Sequence, residues 1–471
     1  MKKILAFVLI AAMLLLVFAA CGGEEPVESA TESATAPAES QSQSETEGQV
    51  TPPDDETKVM THAEYVAAAK DDPVVIEAYV QDKQVYSAQY GNTCLYLQDN
   101  DGGYFVYRWA CTQEEYDAVK IGAKVRVTGF RGEWSGELEV TDAKVEILEG
   151  EYVAEPLDVT TLLGTDDLVK YQNMYVVFKG MTVEAYDDTG AAFAYKSEDG
   201  SDIYYKVSVN GATYNFCVES DLRTTGSPAY EAVKAFKVGD KVDIVGFLYW
   251  YNGPNPHTTG VEKITSHADF VAAAKDDPVV IEAYVQDKQV YSASYGNTCL
   301  YLQDEIGGYF VYRWACTQDE YDAVKIGDKV RVTGFKSVWS GELEVVDAKV
   351  EIVSNADYIA APLDVTAYLG TDDLEKYQNM YVVFKGVKVE AYDDKGAAFA
   401  YKAEDGSDIY YKVSVNGVTY DFCVESDLRT TGSAAYEAVK AFKVGDVCDI
   451  VGFLYWYNGP NPHTTGVIFP K

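Results

Sequence analysis

Four histidines, His62, His257, His267 and His463, are the only imidazoles in 471 residues, and they are scattered along the chain. His62 and His267 stand where a helix begins and read as capping positions rather than as bases. Nucleophile and metal signatures are missing: there is no G-x-S-x-G, no H-E-x-x-H and no glycine-rich phosphate loop. No C-x-x-C pair occurs, which excludes zinc ribbons. Acidic clusters at Asp99-Asn100-Asp101, Asp187-Asp188 and Glu198-Asp199 carry oxygen ligands of the kind calcium takes. An EF-hand loop opened at Asp99 would close on Ala110, and Ile306 replaces Asp101 in a later copy. These clusters read as solvated turns. Neither catalysis nor a metal or cofactor is expected.

Recognition is better served. The run Phe247-Leu248-Tyr249-Trp250-Tyr251-Asn252-Gly253-Pro254-Asn255-Pro256-His257 returns unchanged from Phe453 to His463. Its candidate ligand contacts are Tyr249, Trp250, Tyr251, Asn252, Asn255 and His257, and in the second copy Tyr455, Trp456, Tyr457, Asn458, Asn461 and His463. Aromatic rings offer flat apolar faces to sugar rings or bases, and amides add directional hydrogen bonds. Trp134 and Trp339, each in a Trp-Ser-Gly turn, are further candidates: an exposed contact, or a plug at the end of a barrel. Tyr86 and Tyr90, with Tyr291 and Tyr295, stand in an opposing loop.

Strands must position these side chains. The aromatic run follows Val238–Phe247, V-G-D-K-V-D-I-V-G-F, which recurs at Ile121–Phe130, Ile326–Phe335 and Val444–Phe453. Each copy is a turn, a strand of period two, and a glycine where a strand bends or bulges. Parity places Lys241 and Asp243 towards water and Val242, Ile244, Leu248 and Trp250 towards a core. Phe247, Tyr249 and Tyr251 then line the outer face, where they meet a ligand, a neighbouring module or a hairpin inserted in their own module. A bulge at Gly246 would exchange the two sets.

The four copies belong to a long duplication. Thr61–Leu148 recurs as Thr265–Val353, and Tyr152–Val261 as Tyr358–Val467, mostly with identical residues. Asn100-Asp101 becomes Glu305-Ile306, and Arg131-Gly132-Glu133 becomes Lys336-Ser337-Val338. These differences are expected at surface turns. Each half holds two modules, giving the order A1-B1-A2-B2.

In A1 a helix at Ala63–Lys70 is capped by Thr61 or His62. Strands follow at Val74–Gln81, Thr93–Gln98 and Tyr104–Ala110. A helix at Thr112–Lys120, with Thr112 and Glu115 as a capping box, precedes strands Lys124–Phe130 and Glu137–Leu148. This β-β-β-α-β-β order resembles the OB-fold, and is similar to OB modules of secreted bacterial nucleases and of surface lipoproteins of unknown role. B1 shares the closing half, with a helix at Ser227–Lys237. Its first half adds a strand at Ala191–Lys196 before the hairpin Ile203–Val209, Asn210-Gly211, Ala212–Val218, where Asn-Gly signals a type I′ turn. The expected class is therefore mainly β, with four tandem OB-like barrels. The resemblance implies a ligand face on strands 2 and 3, bordered by the 1–2 and 4–5 loops.

Ahead of the modules, Lys2 and Lys3 precede an apolar run from Ile4 to Phe18, then Ala19-Ala20-Cys21-Gly22-Gly23. This resembles a bacterial lipoprotein signal, with Phe18 a less usual residue three before the cysteine; the other reading is a secretory signal cleaved near Ala20. Lipidation of Cys21 would anchor the chain on the outer face of the cell membrane. Residues 1–20 are read as signal peptide and 21–58 as a disordered acidic Ser/Thr/Glu/Pro linker. The modules are assigned to 59–150, 151–263, 264–355 and 356–471.

Net charge is −37 at pH 7, which opposes nucleic-acid backbones. Cys94 and Cys111, like Cys299 and Cys316, flank a hairpin: cross-strand disulfides, or small buried hydrophobes. The expected function is a non-enzymatic surface lipoprotein whose modules bind an extracellular or cell-wall glycan or mediate adhesion. The alternatives are a single-stranded nucleic-acid binder and a structural spacer.

Overall fold

A computed structural model describes residues 58–470 of the chain. The signal peptide, Cys21 and all but the last residue of the acidic linker lie outside the described residues.

A1 begins with α1 (His62–Ala67), whose N-cap is Thr61; Glu64 completes a capping box and leaves His62 inside the helix. The barrel strands are β1 (Pro73–Lys83), β2 (Asn92–Gln98), β3 (Gly103–Ala110), β4 (Ala123–Trp134) and β5 (Glu137–Glu151). Between β3 and β4 lies α2 (Gln113–Ala118), opened by the capping box of Thr112 and Glu115. The strands close in the order β1-β2-β3-β5-β4, with β3 and β5 parallel and the other pairs antiparallel. Alternate residues such as Ile76, Leu95, Val106, Val127 and Val140 fill the interior.

B1 comprises β6 (Leu157–Asp158), β7 (Tyr175–Glu184), β8 (Phe193–Tyr195), β9 (Ile203–Val209), β10 (Ala212–Val218), α3 (Pro228–Lys234), β11 (Lys241–Phe247) and β12 (His257–Ile264). Strands β7, β9, β10, β12 and β11 form the same closed ring, again with one parallel pair, β10–β12. The added strand β8 pairs with the first half of β9, whose second half pairs with β7. Asn210 and Gly211 both take positive φ, the turn their sequence requires. The second half of the chain repeats both arrangements, so the molecule is mainly β, built from four tandem OB-like barrels.

β11 keeps its expected parity. Val242, Ile244 and Leu248 enter the barrel core and Trp250 packs against it, while Phe247 and Tyr249 point outwards. The bulge opposite Val245 and Gly246 places its extra residue, Thr259, on β12, so the two sets on β11 are not exchanged.

Two expectations are corrected, and the cysteine alternatives are resolved. Arg131-Gly132-Glu133 is not a turn: β4 runs on to Trp134, paired with Glu137, and the turn is only Ser135-Gly136, both at positive φ. Arg131 and its counterpart Lys336 are buried. Asp243 lies on the outer face of β11 but does not meet water, because Arg331 of A2 covers it at 2.6 Å. The cysteines of each hairpin are free; Cys94 faces outwards from the barrel and Cys111 inwards, so no bond joins them.

Candidate functional site

The outer face of β2 and β3 in A1 carries Cys94, Tyr96, Phe105 and Tyr107. B1 covers it with Tyr175, Leu222, Phe247 and Tyr249. Phe247 stacks on Tyr96 with centroids 4.2 Å apart and planes at 13°, and Tyr249 meets Phe105 edge-on at 5.5 Å. His257 lies flat against Tyr249 at 4.2 Å, and its Nδ1 is 2.6 Å from Tyr96 Oη and 3.3 Å from Glu219 Oε2. Gln84 Nε2 donates to the same glutamate at 2.6 Å, and Arg223 pairs with Asp82. The face on which an OB barrel commonly holds ligand is thus a junction between modules. The second half repeats it with Tyr301, Phe310, Phe453, Tyr455 and His463.

Tyr249, His257, Tyr455 and His463 therefore belong to the junctions. Trp250 and Trp456 are half-buried against the B-module cores. Asn255 and Asn461 brace the loop by donating their backbone N–H to Tyr249 O and Tyr455 O.

The remaining candidates come together on the rim, where the 4–5 loops of two modules meet. Trp134, at the tip of the β4–β5 hairpin of A1, is 55% exposed, and Tyr251 of B1 is 48% exposed. Their rings lie 5.1 Å apart at 37°. Asn252 is exposed beside them, and its backbone N–H donates to Ser135 O at 2.7 Å. Trp339 and Tyr457 reproduce the pair at 5.2 Å and 39°, with Asn458 held by Ser340. The platform is composite, since neither module supplies both rings. Tyr90 and Tyr295 are exposed in the opposing loops but make no ring contact with it among the described residues, and Tyr86 packs on its own barrel.

A residue not expected in the site holds it together. Glu137, directly after the Ser135-Gly136 turn, is wholly buried. It accepts from Asn173 Nδ2 at 2.6 Å, from the Trp250 backbone N–H at 2.7 Å and from Gln172 Nε2 at 3.0 Å. All three donors come from B1, so one A1 carboxylate pins the B1 loop that carries Tyr251. Burial pushes its pKa up to about 8 despite these donors. Glu139, two residues on, is pushed to about 7 by burial, opposed by Arg108. Both charges, with burial, also raise the Tyr249 phenol. Glu342 and Glu344 repeat the values in the second half. The sequence signals Glu137 only as a strand residue of outward parity, which reads as solvated.

Chemically the rim offers aromatic faces, a phenol, an indole N–H and a primary amide. No group of three metal-ligating side chains occurs among the described residues, and no described helix is long and apolar enough to cross a membrane.

No protein-family model and no curated protein matches the chain. Among solved structures it is similar to the Ifi202 HINa domain in complex with 20bp dsDNA, at 12% identity over 41% of this chain and 96% of that one, with TM-score 0.22. A murine DNA-binding protein bound with double-stranded DNA aligns at 10% identity over 60% of this chain and 99% of that one, TM-score 0.17. A deletion mutant of the single-stranded DNA binding protein from Thermus aquaticus aligns at 16% over 42% and 97%, TM-score 0.17. At these scores the fold assignment rests on the strand order given above.

Proposed function

We propose that each A–B pair is one non-enzymatic binding unit for a glycan, with Trp134–Tyr251 and Trp339–Tyr457 as the stacking platforms. The observation that carries this reading is a tilted pair of half-exposed rings beside an exposed amide, built jointly by two modules and present twice. Pyranose C–H faces pack on such rings, and the amide and phenol serve hydroxyl groups. Two platforms on one chain raise avidity for a repetitive polymer when both engage. The lipoprotein-like residues around Cys21 favour display on the outer face of the cell membrane, in reach of cell-wall or extracellular glycan. Single-stranded nucleic acid is the weaker reading: net charge is −37, and the face of β2 and β3 in A1 is occupied by B1.

A glycan array and a single-stranded DNA titration on residues 22–471, wild type beside Trp134→Ala/Trp339→Ala, test this. A glycan retained by wild type and lost by at least tenfold in the variant is the expected result. DNA binding without glycan binding would overturn it. Binding of neither would leave the modules as a spacer and equally overturn it.

A further inference from the structure

Around Glu137 the hydrogen-bond inventory is unbalanced. Its carboxylate faces N–H groups only, and no cation pairs with it among the described residues. The same amides leave Gln172 Oε1 and Asn173 Oδ1 buried with no donor. In the second half Gln378 Oε1, Asn379 Oδ1 and Glu342 Oε1 are likewise buried and unpartnered. Each seam thus buries one desolvated acid that no cation hydrogen-bonds, beside amide oxygens that no donor reaches, so its ionised form leaves a charge offset only by N–H dipoles.

Titratable neighbours do not reverse this. Glu139 on the same strand adds negative charge. The hydroxyls of Tyr65 on α1, Tyr96 on β2 and Tyr249 on the B1 loop each feel the Glu137 charge. Arg131 on β4 is directed to Gly132 O and Glu133. In the second half Glu344, Tyr301 and Tyr455 take the same places, and buried Lys336 contributes one nearby cation without a hydrogen bond.

We propose that Glu137 and Glu342 are proton-linked positioning residues: protonation removes the carboxylate charge buried at the A–B seam, docks the B module on the A hairpin and so assembles each aromatic platform. The proposal rests on the binding role of that platform, but its physical core does not. With the proton the acid is neutral, and holding it out of water costs far less than holding the carboxylate there. Without it, docking must desolvate an unpaired carboxylate. The docked state therefore binds the proton up to about pH 8, and the undocked state only up to the ordinary 4.5. Docking is fully favoured below that lower value and weakens as pH rises through the higher one.

The test uses residues 22–471 without ligand. Hydrogen exchange at the Trp250 and Asn252 amides, corrected for intrinsic rates, is followed at pH 5.5 and 8.5 in wild type and in Glu137→Gln/Glu342→Gln. Wild type is expected to lose protection on the order of 100-fold at the higher pH; glutamine, which is neutral and brings its own donors, holds both amides equally at both. Carbon NMR of the wild-type glutamates supplies a second reading that needs no variant, with carboxyl midpoints expected above pH 6. Flat wild-type protection, a variant that keeps the wild-type pH dependence, or no midpoint above pH 6 would each overturn the proposal. Where a glycan ligand is in hand, its affinity is expected to fall at least tenfold from pH 5.5 to 8.5 in wild type only. Absence of any ligand leaves the exchange result intact and counts against the glycan reading alone.

Discussion

Phe247 gives the sharpest test of how the modules are joined. Its strand neighbours on either side of the parity rule, Ile244 and Leu248, fill the B1 barrel, yet the Phe247 ring is buried outside that barrel. It stacks on Tyr96 of A1 at 4.2 Å and leans on Tyr175 at 5.2 Å. Truncating a buried phenylalanine to alanine costs about 3–5 kcal/mol. Because the ring's principal partner is in the other module, that loss falls on docking rather than on either barrel. At about 1.4 kcal/mol per decade it weakens docking by between about two and four orders of magnitude. The double variant Phe247→Ala/Phe453→Ala should therefore split one cooperative unfolding transition of each pair into separate A and B transitions, seen by calorimetry and by limited proteolysis at the junction. Phe216→Ala is the control, since that ring is buried in the B1 core. If Phe247→Ala instead lowers a single transition without splitting it, as the control does, the ring serves the barrel and the junction argument is refuted.

Two further outcomes follow from buried groups. Arg331→Ala should cost about 3–5 kcal/mol in thermal or denaturant unfolding, because it strands the buried Asp243 carboxylate. Its A1 counterpart Arg126, paired with the more accessible Glu77 and Glu146, should cost about 1 kcal/mol or less. Non-reducing peptide mapping should find Cys94, Cys111, Cys299 and Cys316 as free thiols. Burial raises the Cys94 thiol to about 12, so alkylation at pH 8 should be slow until denaturant is added.

Much of the fold was legible because period-two patterning and turn chemistry are local. Val242 and Ile244 against Phe247 and Tyr249, the Asn210-Gly211 turn and the Thr112–Glu115 box each follow from neighbours a few residues away. The site was only half legible. The aromatic run held several destinations, a ligand, another module or the inserted hairpin, and its members part company: Phe247 and Tyr249 go to A1, whereas Tyr251 remains on the rim with Trp134. No local rule contains that division. Charged residues misled for the same reason. Arg131, Glu137 and Asp243 have outward or turn-like patterning, and only a second module, or a strand longer than expected, takes them out of water.

The two kinds of junction set what the platforms are able to do. Within a pair, stacked rings and the Glu137 cage join A to B, and the platform lies across that seam. Between pairs, B1 meets A2 through Arg331 with Asp243 and Glu262, and through Lys263 with Asp269. Only Thr265 and Ser266 separate the last strand of B1 from the first helix of A2. Arg331 and Asp243 lie largely out of water, so salt screens that contact little and acts mainly on its more exposed neighbours, Glu262 and the Lys263–Asp269 pair. The B1–A2 joint is thereby held through changes of ionic strength, whereas the proton linkage proposed for Glu137 and Glu342 would act within each A–B seam. A polymer that engages both sites would then sense pH as a change in the affinity of each site.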